Sequence, residues 1–105
     1  MRVAITGATG YVGRFLVAGA RAEGHAVTAL SRTAPGGPVR HLPFDLGGPP
    51  PDLAGFDLLI HAAFDHAPGR YRGGEGDDPE GFLARNLGGT RRLFDAAAAA
   101  GVPRI

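Results

Sequence analysis

The 105-residue sequence contains no cysteine and no lysine. Without cysteine there are no disulfides and no thiolate metal sites. Without lysine there is no Walker A phosphate loop, which needs a Lys after its last glycine. All 11 basic residues are therefore Arg; with 10 acids they leave a net charge of +1. No basic block stands out, so no nucleic-acid or membrane surface is indicated. No apolar run approaches the ~18 residues of a membrane span. A signal-peptide pattern is also missing, because residues 1–6 already read as a strand and glycines follow at once. The expected class is a soluble cytoplasmic protein of one domain, residues 1–105.

What is present alternates between two periodicities. Arg2 to Thr6 is a short β-rich run ended by Gly7. Val12, Phe15, Leu16 and Gly19/Ala20 recur at helical spacing, and Gly24 is placed to stop that helix. His25 to Leu30 reads as a second strand, which completes one βαβ unit. Val39 to Phe44 reads as a third strand and Asp57 to Ala63 as a fourth, with room for one helical turn near Asp52 to Gly55. The fourth is continuous and apolar, as in a parallel sheet covered on both faces. Asp78-Pro79-Glu80 is a helix start. That helix is expected to run to about Ala100, burying Leu83, Leu87, Phe94 and Ala97/Ala98, with Gly101 as its stop. Pro103 to Ile105 looks like the entrance to a fifth strand. The expected fold is an α/β doubly wound parallel sheet of Rossmann type, strand order 3-2-1-4, incomplete at the start of strand five.

The chemistry concentrates in Thr6 to Gly13, T-G-A-T-G-Y-V-G. Gly7 ends the first strand and permits a tight turn. Gly10 lets the backbone approach a pyrophosphate, and Gly13 lets the helix pack against the sheet. Helix amides and the positive end of the helix dipole then face the anion. A glycine triplet alone is weak evidence. This one follows a strand, opens a helix and leads to a second strand, which is the context a dinucleotide site requires.

An NAD binder carries an acid at the end of strand two, gripping the ribose 2′-hydroxyl. This sequence has Ser31-Arg32 there, and the only acid between Gly13 and Asp45 is Glu23. A guanidinium pairs well with a phosphate, and a hydroxyl can donate to one. The expected cofactor is therefore NADP, in preference to NAD.

With these residues in view, the sequence resembles the extended or atypical branch of the short-chain dehydrogenase/reductase superfamily, the NAD-dependent epimerases/dehydratases. Its T-G-x-x-G-x-x-G spacing is that branch's form. Asp45-Leu46 after strand three, His61-Ala62-Ala63 after strand four, Asn86-Leu87-Gly88-Gly89-Thr90 and Gly101-Val102-Pro103-Arg104 match further family motifs in the right order. The resemblance implies roles. Gly7, Gly10 and Gly13, with the Tyr11 and Val12 amides, would hold the pyrophosphate, and Asp45 and Leu46 would hold the adenine. Ala62 and Ala63 would line the adenosine ribose and the approach to the nicotinamide half. Asn86 would be structural rather than catalytic.

The superfamily's proton transfer uses Tyr-x-x-x-Lys with a nearby Ser or Thr, the Lys lowering the Tyr pKa. Here Tyr11 belongs to the phosphate loop, Tyr71 is followed four residues on by Glu75, and Ser31 lies on the wrong strand. No catalytic residue is assigned, and the chain alone is expected to be inactive. Three readings stay open: the cofactor-binding part of a longer oxidoreductase or epimerase, a non-catalytic NADP-binding regulatory module, or an interaction fragment that self-associates through the open edge of strand four. The first reading needs a further C-terminal part to meet a small-molecule substrate. Arg70, Tyr71 and Arg72 are either substrate contacts or solvated charges. His25, His41, His61 and His66 form no metal pattern, and Gly73 to Asp78 lacks the EF-hand pattern. With one flank of the sheet missing, low unfolding cooperativity or self-association is expected.

Overall fold

The computed structural model describes residues 1–66 and 76–105. Four strands form one sheet: β1 (Arg2–Thr6), β2 (Ala26–Ser31), β3 (Arg40–Pro43) and β4 (Leu58–His61). All pairs are parallel and the order is β3-β2-β1-β4. This is the expected Rossmann-like α/β arrangement. Thr6 stands opposite Leu30 on one side and His61 on the other, so the carboxyl ends of three strands finish level. The last described residues begin to run beside β4, since the Leu59 N–H donates to the Arg104 carbonyl at 3.0 Å. The outer edge of β4 is thus already engaged at Leu59.

The central strand supplies both layers because alternate side chains point to opposite faces. Val3 and Ile5 pack with Ala8, Val17, Val27 and Ala29 under helix α1 (Tyr11–Ala22). Ala4 packs with Leu30, Phe44, Leu46, Leu53, Leu59, Leu93 and Ala97 on the other face. That second layer is covered by a helical run in three parts: α2 (Pro79–Leu83), a π-helical turn (Ala84–Gly88) and α3 (Gly89–Ala99). Asp78 caps α2, its carboxylate accepting from the Gly81 N–H at 3.0 Å. Gly24 and Gly101, at φ +85° and +76°, follow the helix ends in the left-handed conformation that glycine adopts without strain.

Several sequence expectations need correction. Val12 and Phe15 do not face the core; each is 60% exposed. Helix α1 meets the sheet through Gly13, where the Gly7 carbonyl leaves no room for a side chain, and Val17, with Leu16 and Ala20 packed beside them as expected. Leu83, Leu87 and Phe94 are likewise exposed, and the buried line is Gly89, Leu93 and Ala97. The π turn accommodates an extra residue and so breaks the uniform 3.6-residue phase that the expectation assumed. Strand β4 stops at His61 rather than Ala63, because the next two amides turn to the Thr6 hydroxyl. Strand β3 is four residues long, and Asp52 to Gly55 forms a turn closed by the Asp52 carboxylate rather than a helical turn. Pro43 costs little at the end of an edge strand, where no ladder bond is required of it.

Candidate functional site

Where β1, β2 and β4 end, a cleft of about 490 Å³ opens. Its lining includes all eleven residues singled out in the sequence: Gly7, Gly10, Tyr11, Val12, Gly13, Ser31, Arg32, Asp45, Leu46, Ala62 and Ala63. Phe64, Asp65 and His66 complete the β4 side. Arg70, Tyr71 and Arg72 lie outside the described residues.

The phosphate-loop wall is made of backbone. Gly7 has φ +65°, and a Cβ there would stand 2.7 Å from Ala62 and Ala63 main-chain atoms. A Cβ on Gly13 would coincide with the Gly7 carbonyl. Helix α1 begins at Gly10 with no side-chain cap. The first amides of the helix, at Tyr11, Val12 and Gly13, have no intrahelical acceptor. Three N–H groups and the helix dipole therefore open on the cleft, which is the donor set an anion requires. The Arg14 guanidinium lies 5.1 Å from the Tyr11 ring centroid and 5.0 Å from that of Phe15.

At the end of β2, Ser31 is buried and its hydroxyl donates to the Thr33 carbonyl at 2.6 Å. The one hydroxyl proton is thus engaged within the loop, and only the oxygen lone pairs remain for a ligand. The Ser31 carbonyl accepts from the Phe44 N–H and from His41 Nε2, each at 3.0 Å. Arg32 is exposed and forms no ion pair among the described residues. It also borders a second, shallower hollow with Pro43, Phe44, Asp45 and Pro49. Asp45 closes its own turn, its Oδ1 accepting from the Gly47 N–H at 3.1 Å.

The β4 wall depends on side-chain hydrogen bonds that the sequence reading did not anticipate. Thr6 is fully buried, and its Oγ1 accepts from the Ala62 and Ala63 amides at 3.0 and 3.2 Å. Both lone pairs are then used, so the hydroxyl donates its proton to His61 Nδ1, 2.6 Å away. That assignment leaves the ring proton on Nε2, which donates to Thr90 Oγ1 at 2.9 Å. The chain of bonds needs a neutral imidazole. Burial lowers the His61 pKa below its ordinary 6.5, in the same direction. Because the Ala62 and Ala63 amides are committed to Thr6, these residues offer a ligand their carbonyls and methyl groups, not N–H donors.

Farther along, Asn86 in the π turn grips the backbone of Asp65. Its Oδ1 accepts from the Asp65 N–H at 2.8 Å, and its Nδ2 donates to the carbonyls of Asp65 at 2.9 Å and Phe82 at 3.1 Å. The Asp65 carboxylate pairs with Arg85 Nε at 2.7 Å. Among the described residues no group of three or more His, Cys, Asp or Glu side chains could hold a metal ion. No helix among them is long and apolar enough to cross a membrane.

Comparison with known proteins gives this geometry a lineage. The model of the NAD dependent epimerase/dehydratase family matches residues 3–105. The chain is 37% identical over 105 residues to dTDP-6-deoxy-L-talose 4-dehydrogenase (NAD(P)(+)) of Kitasatospora kifunensis, covering 97% of this chain and 32% of that enzyme. Among solved structures, a short-chain dehydrogenase/reductase superfamily protein of Agrobacterium tumefaciens with bound NAD superposes with a TM-score of 0.77 at 28% identity, covering 97% of this chain and 30% of that one. MoeE5, solved with UDP-glucuronic acid and NAD, gives 0.76 at 29% identity, over 97% of this chain and 34% of its own. The chain thus spans about a third of the length of these relatives. With a family match from residue 3 to residue 105, joined to a parallel 3-2-1-4 sheet and a glycine loop at its switch point, the chain belongs to the NAD dependent epimerase/dehydratase family.

Proposed function

We propose that this chain is the dinucleotide-binding part of an oxidoreductase or epimerase and that it prefers NADP(H). The observation that carries the reading is the convergence of the glycine loop, Ser31-Arg32, Asp45-Leu46 and Ala62-Ala63 on one cleft. The uncapped amides of Tyr11 to Gly13 suit a pyrophosphate, and the glycines leave the space that side chains would fill. Asp45 keeps its Oδ2 for the adenine amino group. Arg32 supports the choice of cofactor: no acid stands at the end of β2 to hold a ribose 2′-hydroxyl, and a guanidinium with no ion-pair partner among the described residues suits a 2′-phosphate.

When bound, the nicotinamide would supply hydride exchange, and Ala62 and Ala63 would line its approach. Proton transfer by Tyr-x-x-x-Lys has no residues here, since the 105 residues contain no Lys. The relatives' names, with a dTDP-linked and a UDP-linked sugar, support a nucleotide-linked sugar as the substrate class.

Calorimetric titration of the chain with NADPH and NADH tests the reading. NADPH is expected to bind about tenfold more tightly, as one charge-assisted contact provides. Arg32→Ala is expected to remove that difference while leaving NADH binding unchanged. NADH binding as tightly as NADPH overturns the cofactor preference.

A further inference from the structure

The turn after β3 is poorly equipped to hold its own shape. Its sequence is Asp45-Leu46-Gly47-Gly48 followed by Pro49, Pro50 and Pro51. Two adjacent glycines give the backbone the most freedom to lose on ordering. Internally the turn has two bonds, from Gly47 N–H to Asp45 Oδ1 at 3.1 Å and from Gly48 N–H to the Asp45 carbonyl at 2.9 Å. Both converge on Asp45. Neither fixes the Leu46 carbonyl.

That carbonyl is held by the helix that covers the same face of the sheet. Arg92, on α3, donates from Nη2 to the Leu46 oxygen at 3.0 Å across 46 residues of sequence. The approach is close because Gly89, one turn earlier on the same helix, has no side chain. A Cβ there would collide with the Leu46 carbonyl oxygen and stand 3.0 Å from its Cδ2. Leu46 itself is 5% exposed and packs in the same core cluster as Leu93. Gly89 and Arg92 therefore make one device: the glycine admits the carbonyl to the helix surface and the guanidinium fastens it. Arg92 takes part in no ion pair among the described residues.

We propose that Arg92 is a positioning residue that sets the Asp45–Leu46 turn for the adenosine end of the ligand, without touching the ligand itself. The inference rests on the cofactor reading above. It assigns a role to the flank of α3 that meets the Leu46 turn. A carbonyl hydrogen-bonded to a cation and then stripped of it is expected to weaken adenosine binding roughly three- to tenfold.

The test compares the unsubstituted chain with Arg92→Met, which keeps the stem and removes the donors, and Arg92→Lys, which keeps the charge. The ligands are NADPH, 2′,5′-ADP and reduced nicotinamide mononucleotide, which lacks the adenosine. The melting temperature of each variant is measured in parallel. The expected result is an equal loss for NADPH and 2′,5′-ADP in Arg92→Met and partial recovery in Arg92→Lys. Affinity for the mononucleotide should stay within about twofold. Equal weakening of all three ligands, or a fall in melting temperature with every affinity unchanged, makes Arg92 merely structural and overturns the inference. If the unsubstituted chain binds NADPH and Arg92→Met binds it equally well, the inference alone fails. If the unsubstituted chain binds neither NADPH nor 2′,5′-ADP, the cofactor reading fails and takes this inference with it.

Discussion

The two walls of the cleft are built from different materials. The wall from β1, α1 and β2 is backbone: a glycine at positive φ, a helix start without a cap, and a Gly13 whose missing side chain makes room for the Gly7 carbonyl. The wall from β4 and the helical run is a set of side-chain bonds, Thr6 to His61 to Thr90 and Asn86 to Asp65. Backbone tolerates almost no added atom but is insensitive to pH. A side-chain network tolerates changes of shape but fails when one donor or acceptor loses its partner. Thr6 belongs to both walls. It ends the strand that leads into the glycine loop, and its hydroxyl organises the far side.

The largest effect is expected on the backbone wall. Gly13→Ala places a methyl group on the Gly7 carbonyl, and neither the loop nor the helix can move without the other. A loss of about 3 kcal/mol or more is expected, with no nucleotide binding, read by denaturant unfolding and titration. A folded, nucleotide-binding Gly13→Ala chain would show that this wall is softer than its geometry implies.

Next comes Thr6→Val, which preserves shape and removes the hydroxyl. The Ala62 and Ala63 amides and His61 Nδ1 then lose their shared partner. A loss of about 2–4 kcal/mol is expected, from two or more part-buried groups left unsatisfied. Hydrogen exchange at the two alanine amides should speed up while exchange in α1 changes little. Equal acceleration in both walls would break the distinction between them.

The smallest effect is a pH dependence confined to the β4 wall. The folded chain holds His61 below 6.5, so between that lowered value and 6.5 the unfolded chain binds more protons. Stability then rises with pH through this window and falls as pH drops below about 6.5. Melting temperatures of the parent chain and His61→Gln, taken from pH 5 to 7, should differ in slope, the variant being flatter. Identical slopes would remove His61 from the account.

The same contrast explains what could be read from sequence. The backbone wall was legible because its requirements are local. Gly7, Gly10 and Gly13 lie within seven positions, and the strands on either side announce themselves by apolar runs. The sheet order followed from the same motif. Helix faces were read less well. Val12 and Phe15 have the right spacing for a core, yet the loop brings α1 so near the sheet that Gly13 and Val17 take the contact. Leu83 and Leu87 failed for a different reason, a change of helical phase that no periodicity in the sequence marks. The Thr6–His61–Thr90 bonds span 55 and 29 residues, and only the parallel register brings them together. His61-Ala62-Ala63 and the Thr6 that opens the glycine motif are each visible in the sequence, but nothing in it pairs the one with the other.

The π turn at Ala84–Gly88 gives the helical run two independent clocks. Within it, Asn86 keeps time with Asp65; after it, Thr90 and Leu93 keep time with the sheet. Each α-helical residue advances the face by roughly 100°. Deleting one residue from the turn would restore a regular helix and rotate one half against the other by that angle. Either the Asp65 grip or the sheet contact would then face the wrong way. A reading frame that loses a codon here therefore costs far more than one that loses a codon in an exposed loop, and the awkward turn is what lets a single rod answer to two surfaces that are out of step.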